Sequence, residues 1–307
     1  MDYPTDLFDG VTTALITPFL AEGAVDYEGL RRLVHSQIVS GVRGLLALGT
    51  TGEAPTLSTD EQARIVELVV AEAGRADGVR VMVGVGTNST EKTIENARRA
   101  RDWGADALLI VSPYYNKPSP DGLIAHFVAV AGAVDLPLVV YNIPGRTGVN
   151  IPTPVLAQIA RHPNVVAVKE ASGNIAQMMT VLTEIPHLAV YSGDDALTFP
   201  LICLGGRGVI SVVSNLLPGP VVEMVTEALA GNVARARQLH YGLLPMFDAA
   251  FVESNPGPIK YALSRRGVVG EAMRLPMAPV RPEGKALIDT ALSGYPQEAF
   301  PSPDEAR

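Results

Sequence analysis

Eight short runs rich in valine, isoleucine and leucine recur along the chain, separated by longer stretches of helical period. That alternation limits the fold more than any other feature. The runs lie at 10–19, 44–50, 79–86, 105–113, 137–144, 165–172, 188–195 and 208–215. Strands that are apolar on successive residues, not only on alternate ones, suit a parallel sheet covered on both faces. Among the intervening segments, DYEGLRRLVHSQIVSG, STDEQARIVELVVAEAG and STEKTIENARRARDWG each open on a residue able to cap a helix and close at glycine. Eight strand–helix units predict a closed (β/α)8 TIM barrel. The competing open doubly wound sheet would carry a glycine-rich dinucleotide fingerprint after its first strand, and that turn lacks one. We assign residues 1–231 to the barrel and 232–307 to a small C-terminal helical appendage, where helical pattern continues without strands and is broken at NPGPIK and RLPMAP. The tail YPQEAFPSPDEAR, rich in proline and acid, is expected to be loosely held.

The 307 residues accommodate one barrel of roughly 250 residues and an appendage. With 47% apolar and 18% charged residues, the chain can bury a large core. A net charge of −8 without a concentrated basic stretch argues against a nucleic-acid partner. No stretch approaches the ~20 apolar residues of a membrane span, and the acidic start MDYPTDLFDG lacks the basic and apolar regions of a signal peptide. A cytoplasmic protein without a membrane partner is therefore expected. Cys203 is the single cysteine, which excludes an intrachain disulfide, and it is expected to be buried packing. His35, His126, His162, His187 and His240 are scattered, so neither a metal site nor a Ser/His pair is expected.

Barrel active sites lie at the C-terminal ends of the strands, so polar groups that end the apolar runs are the candidates. Lys169 in VVAVKEAS places an amine within a strand the barrel would enclose. It is either a desolvated, neutral nucleophile for a carbonyl, or a lysine paired with a carboxylate or reaching the strand's end. Tyr141 ends PLVVYNIP as a proton-relaying phenol or as a core tyrosine. Thr50 and Thr51 in GTTGE are hydroxyl donors for a carboxylate or helix caps, capping being the simpler reading. Arg146 in PGRTG is a carboxylate fork or a solvated loop arginine. Asp194 and Asp195 in SGDD are a paired acid site or a metal-ligand pair, or residues at a helix N-terminus, the last being the simpler reading. GGRG at 205–208 precedes a strand, not a helix, and reads as a turn; Trp103 reads as barrel packing.

Taken together, GTTGEAPTLS, SPYYNKPSPDGL, YNIPGRTGVNI, AVKEASGN, YSGDDALTFP and GVISVVSN resemble, in order and along nearly the whole chain, the motifs of the pyruvate-dependent class I aldolases grouped as the dihydrodipicolinate synthase / N-acetylneuraminate lyase family. The resemblance implies that Lys169 forms the Schiff base and that Tyr141 is the phenol above it. It further implies that Thr50 links Tyr141 to Tyr115, and that Tyr115 enters the active site of a neighbouring subunit in a homodimer or homotetramer. The amides of Thr50 and Thr51 would hold the pyruvate carboxylate, with the Ile210 carbonyl beside the site. Arg146 stands where the synthase branch holds the carboxylate of an aldehyde acceptor, whereas neuraminate lyases generally carry an apolar residue there. The implied activity is condensation of pyruvate with L-aspartate 4-semialdehyde to give 4-hydroxy-tetrahydrodipicolinate, for lysine (diaminopimelate) synthesis, with no cofactor beyond the imine. Another pyruvate aldolase or 2-oxo-acid dehydratase, or a non-catalytic ligand-binding barrel, is the alternative. At the effector cleft of lysine-inhibited members this chain carries Thr59, Gln62 and Lys92 in place of the histidines and glutamate found there, although Asn88 and Tyr114 match, so weak feedback by L-lysine is expected.

Overall fold

Parallel pairing closes on itself. β1 (Gly10–Ala14) pairs with β2 (Gly44–Ala47), and the order runs through β3 (Arg80–Gly84), β4 (Ala107–Val111), β5 (Leu138–Asn142), β6 (Val165–Glu170), β7 (Ala189–Ser192) and β8 (Gly208–Ser211), which pairs again with β1. The structure is a computed structural model and describes residue 3 and residues 6–295. Around the barrel lie α1 (Tyr27–Val39), α2 (Thr59–Ala73), α3 (Thr90–Asp102), α4 (Pro120–Ala133), α5 (Pro144–Thr147), α6 (Thr153–Ile159), α7 (Ile175–Glu184), α8 (Thr198–Cys203) and α9 (Pro218–Leu229). The C-terminal helices α10 (Val233–Ala249), α11 (Gly257–Arg265) and α12 (Pro282–Ser293) follow, α10 packing along α9 and α12 on both α10 and α11. The expectation for the tail from residue 296 lies outside the described residues.

All eight expected strands are present, and the three quoted helices start where their caps predict. Asp26, Ser58 and Ser89 each accept a hydrogen bond from the first turn, and Ser58 with Glu61 forms a reciprocal capping box. The strands are shorter at their C-terminal ends than the apolar runs that announced them. Ile16 and Phe19 are buried beyond β1, and Val213–Asn215 turns into a short 3-10 helix after β8. Hydrophobicity reports burial, and the loops at the barrel mouth are buried without joining the ladder.

Within each strand the side chains alternate between two cores. Val139 and Tyr141 of β5, Ala167 of β6, and Ala189 and Tyr191 of β7 point into the barrel with Leu46, Met82 and Ile210. Val140, Val168 and Val190 point outward against the helices. GGRG is a turn into β8, and Trp103 packs partly against the outer core. Cys203 departs from expectation: it is exposed, because Leu201 and Ile202 occupy the inner face of α8 and leave the helix's last residue outside. Among the described residues no helix is long and apolar enough to cross a membrane.

The seam between β1 and β8 depends on Gly208, which sits at φ +147°, opposite Gly10. A Cβ there would lie 1.9 Å from the Gly10 carbonyl oxygen, so an added methyl would force the closing pair of strands apart. Gly208→Ala is expected to cost about 3 kcal/mol or more in urea unfolding. Gly242→Ala, within α10 where an added Cβ meets no atom within 4 Å, is expected to add about 0.5–1 kcal/mol in the same measurement.

Candidate active site

Strand β6 carries the central group. All six of its residues are buried, and the register places Lys169 between Tyr141 of β5 and Tyr191 of β7, on the inward-facing set. Lys169 is 5% exposed, and its Nζ lies 4.3 Å from the centroid of the Tyr141 ring. Burial lowers its pKa from 10.5 to about 8, opposed by the Asp195 carboxylate and reinforced by the Arg146 guanidinium. A substantial neutral fraction near neutrality follows, as a nucleophilic amine requires. Burial also pushes the Tyr141 phenol up to about 12, while Arg146 pulls it down. Tyr141 therefore keeps its proton and is available to donate it. Of the two alternatives for Lys169, direct pairing with a carboxylate is not what the structure shows.

Asp195 explains why. Its side chain is buried and accepts from the Ser211 hydroxyl and from the backbone N–H groups of Val212 (3.0 Å) and Val213 (3.2 Å). Burial raises its pKa, and those three donors lower it. The carboxylate thus fastens the end of β8 while biasing Lys169 electrostatically. The helix-terminus reading holds only for Asp194, whose carboxylate accepts from Ala196 N–H at 2.9 Å and caps the short 3-10 turn Asp195–Leu197. Between β7 and these residues, Gly193 lies against the lysine stem. A Cβ there would stand 3.0 Å from Lys169 Cε and 2.7 Å from Ala171 Cβ, so a side chain at 193 would displace the amine.

Arg146 is exposed on α5, directly after β5, and a hydrogen-bonded frame fixes that turn. Asn142 donates to Glu170 Oε2 (3.0 Å) and to Asn150 Oδ1 (2.9 Å), and its own Oδ1 accepts from Ile151 N–H (3.0 Å). The loop after β5 is thereby tied to the buried carboxylate beside Lys169. Arg146, Tyr141 and Thr50 line one cavity of about 590 Å³ over the barrel mouth, which extends to Thr59, Gln62 and Lys92 and is walled on another side by Asn255, Pro256 and Met277. The cationic Arg146 beside a depressed-pKa amine suits an anionic carbonyl compound.

Thr50 and Thr51 cap no helix: the cap of α2 is Ser58, and the Thr51 hydroxyl instead accepts from Asn255 Nδ2 at 2.9 Å. Ile210 lies inside the barrel on β8, 1% exposed. Tyr115 is not brought to this site within its own chain. It stands 88% exposed at φ +73° and is absent from the cavity wall. Sequence reading missed Gly193, Glu53, Asn255 and Lys260. In the sequence, NPGPIK reads only as a helix breaker, although a lysine set among Gly257, Pro258, Ile259, Tyr261 and Ala262 is a signal of a buried amine. Among the described residues no group of three or more His, Cys, Asp or Glu is placed to hold a metal ion.

Comparison with known proteins agrees with this geometry. Residues 7–294 match the Dihydrodipicolinate synthetase family. The 4-hydroxy-tetrahydrodipicolinate synthase of Pelobacter propionicus is 45% identical over 291 residues, covering 94% of this chain and 99% of that protein. The crystal structure of dihydrodipicolinate synthase from Thermotoga maritima superposes with a TM-score of 0.91 at 41% identity, covering 96% of this chain and all of the other. A monomeric dihydrodipicolinate synthase variant is also similar, with a TM-score of 0.91 at 42% identity, covering 95% and 98% of the two chains. The chain belongs to the dihydrodipicolinate synthetase family.

Proposed function

We propose that this chain is a 4-hydroxy-tetrahydrodipicolinate synthase, a lyase that condenses pyruvate with L-aspartate 4-semialdehyde in lysine (diaminopimelate) synthesis. The observation that carries the reading is Lys169, a buried amine with its pKa held near 8 against the ring of Tyr141, which lines one cavity together with Arg146. In the proposed route the neutral Lys169 Nζ attacks the pyruvate keto carbon, and loss of water leaves a protonated imine. The imine acidifies the methyl group, which gives up a proton to form an enamine, and the enamine carbon bonds to the aldehyde carbon of the second substrate. The amine of that substrate then attacks the imine carbon, closing the ring and expelling Lys169. Every electron pair is supplied by lysine or substrate, so the route calls for no metal or organic cofactor.

Tyr141 is assigned the proton transfers, supported by its ring stacked 4.3 Å from the amine and by its raised pKa. Thr50 and Tyr115 extend that relay, and the amides of Thr50 and Thr51 with the Ile210 carbonyl surround the pyruvate end. Arg146 is assigned the acceptor's carboxylate. The exposure of Tyr115 supports a homodimer, or a homotetramer of two such dimers, in which that phenol serves a neighbouring copy's site. As an enzyme of amino-acid synthesis it is assigned to the cytoplasm.

Four outcomes are expected. Lys169→Ala should abolish borohydride trapping of pyruvate and lower turnover by at least about 10³-fold in an assay coupled to a nicotinamide-dependent dihydrodipicolinate reductase. Only the deprotonated amine attacks, and the protonated fraction grows as pH falls through its pKa. Imine formation should therefore slow about tenfold per pH unit below pH ~8. Arg146→Ala should raise KM for the semialdehyde about 10²-fold while pyruvate trapping persists, and it should move the pH limb upward, because a charge that lowers the lysine pKa is gone. Finally, Lys92 on the cavity wall repels a cationic effector, so millimolar L-lysine should leave the steady-state rate nearly unchanged.

A further inference from the structure

The turn that follows β2 ends on a buried carboxylate that pairs with a lysine from the C-terminal region. Gly52 N–H donates to the Gly49 carbonyl and Glu53 N–H to the Thr50 carbonyl, each at 3.1 Å, which curls residues 49–53 into a tight loop. Within that loop the N–H groups of Thr50 and Thr51 donate to no protein group among the described residues. The loop ends on Glu53 at φ +51°, a backbone region that residues other than glycine rarely adopt. The Glu53 carboxylate is buried and holds two partners from the C-terminal region. Lys260 Nζ of α11 pairs with Oε1, and the Arg274 N–H donates to Oε2 at 3.1 Å. Lys260 is 0% exposed, donates also to the Ala272 carbonyl at 2.9 Å, and lies 4.2 Å from the centroid of the Phe19 ring.

A fully buried ion pair seldom stabilises a fold more than apolar residues of the same volume would, because both charges lose their hydration. What such a pair does impose is geometry. Here the geometry is that of Glu53, whose left-handed backbone directs the two free amides ahead of it. We propose that Lys260 is a positioning residue for the reaction. Through Glu53 it holds the turn 49–53 in the shape that presents the Thr50 and Thr51 amides to the carboxylate of the 2-oxo acid. This inference rests on the imine reading given above and extends it to a residue outside the barrel.

Pyruvate with borohydride tests it, by mass spectrometry of the Lys169 adduct, because the pyruvate concentration at half-maximal trapping reports carboxylate binding while the rate at saturation reports the amine. Lys260→Met is expected to raise the half-maximal concentration about tenfold or more and leave the saturating rate within about twofold. Glu53→Gln/Lys260→Met, which strands no charge, should behave likewise, and Ile288→Ala, a buried change in α12 that does not line the cavity, should not move the half-maximal concentration. A half-maximal concentration within about twofold of the unaltered protein in either folded variant overturns the proposal. So does a parallel loss of the saturating rate, the sign of general loosening, and so does failure of both variants to fold, which would make the pair a stability element. The unaltered protein separates the two readings. If pyruvate does not label it, the imine reading falls and this one with it; labelling without turnover of the semialdehyde removes only the acceptor assignment.

Discussion

Lys169 stands where eight parallel strands exclude water, and the cost of keeping a charge in that place organises the rest of the site. An isolated lysine there would be strongly driven to neutrality, whereas one tightly paired with a carboxylate would stay protonated and inert. The structure takes a middle course. Asp195 is close enough to favour the cation, but its oxygens are occupied by Ser211, Val212 and Val213, so it biases the amine without clamping it. Arg146 pushes in the other direction from the barrel mouth. The balance leaves an amine that can be neutral at moderate pH, with a protonated phenol stacked beside it.

Around that amine the parts arrive from distant stretches of the chain, each held by buried polar contacts. Asn142 and Glu170 join the ends of β5 and β6, which ties the turn that presents Arg146 to the strand that carries Lys169. Asn255 and Lys260 reach back to Thr51 and Glu53 across more than 200 residues. The C-terminal region is therefore part of the wall of the mouth, and it supplies both partners of the buried Glu53 carboxylate.

Much of this was legible in the residues. Strands covered on both faces leave uninterrupted apolar runs, which is why all eight could be counted, and a lysine inside one such run stands out because burying its charge needs a reason. The same logic overshot at the strand ends, where Ile16 and Phe19 are buried in the mouth without joining the ladder. Asp194 and Asp195 are identical neighbours with different tasks, one capping a turn at its rim and the other buried against β8, and composition cannot separate them. Cys203 was misplaced for a related reason: whether a helix's last residue faces in or out depends on what the helix packs against.

By itself, then, the sequence determined the barrel and its strand order and singled out one lysine within an apolar run, because those follow from periodicity and from the cost of burying an amine. Only the tertiary structure decided how far that amine is freed from its neighbouring acid, which glycine makes room for it, and that Glu53 is met by Lys260. Each of these depends on contacts between residues far apart in the chain, and local pattern carries no record of which distant side chain fills a given space.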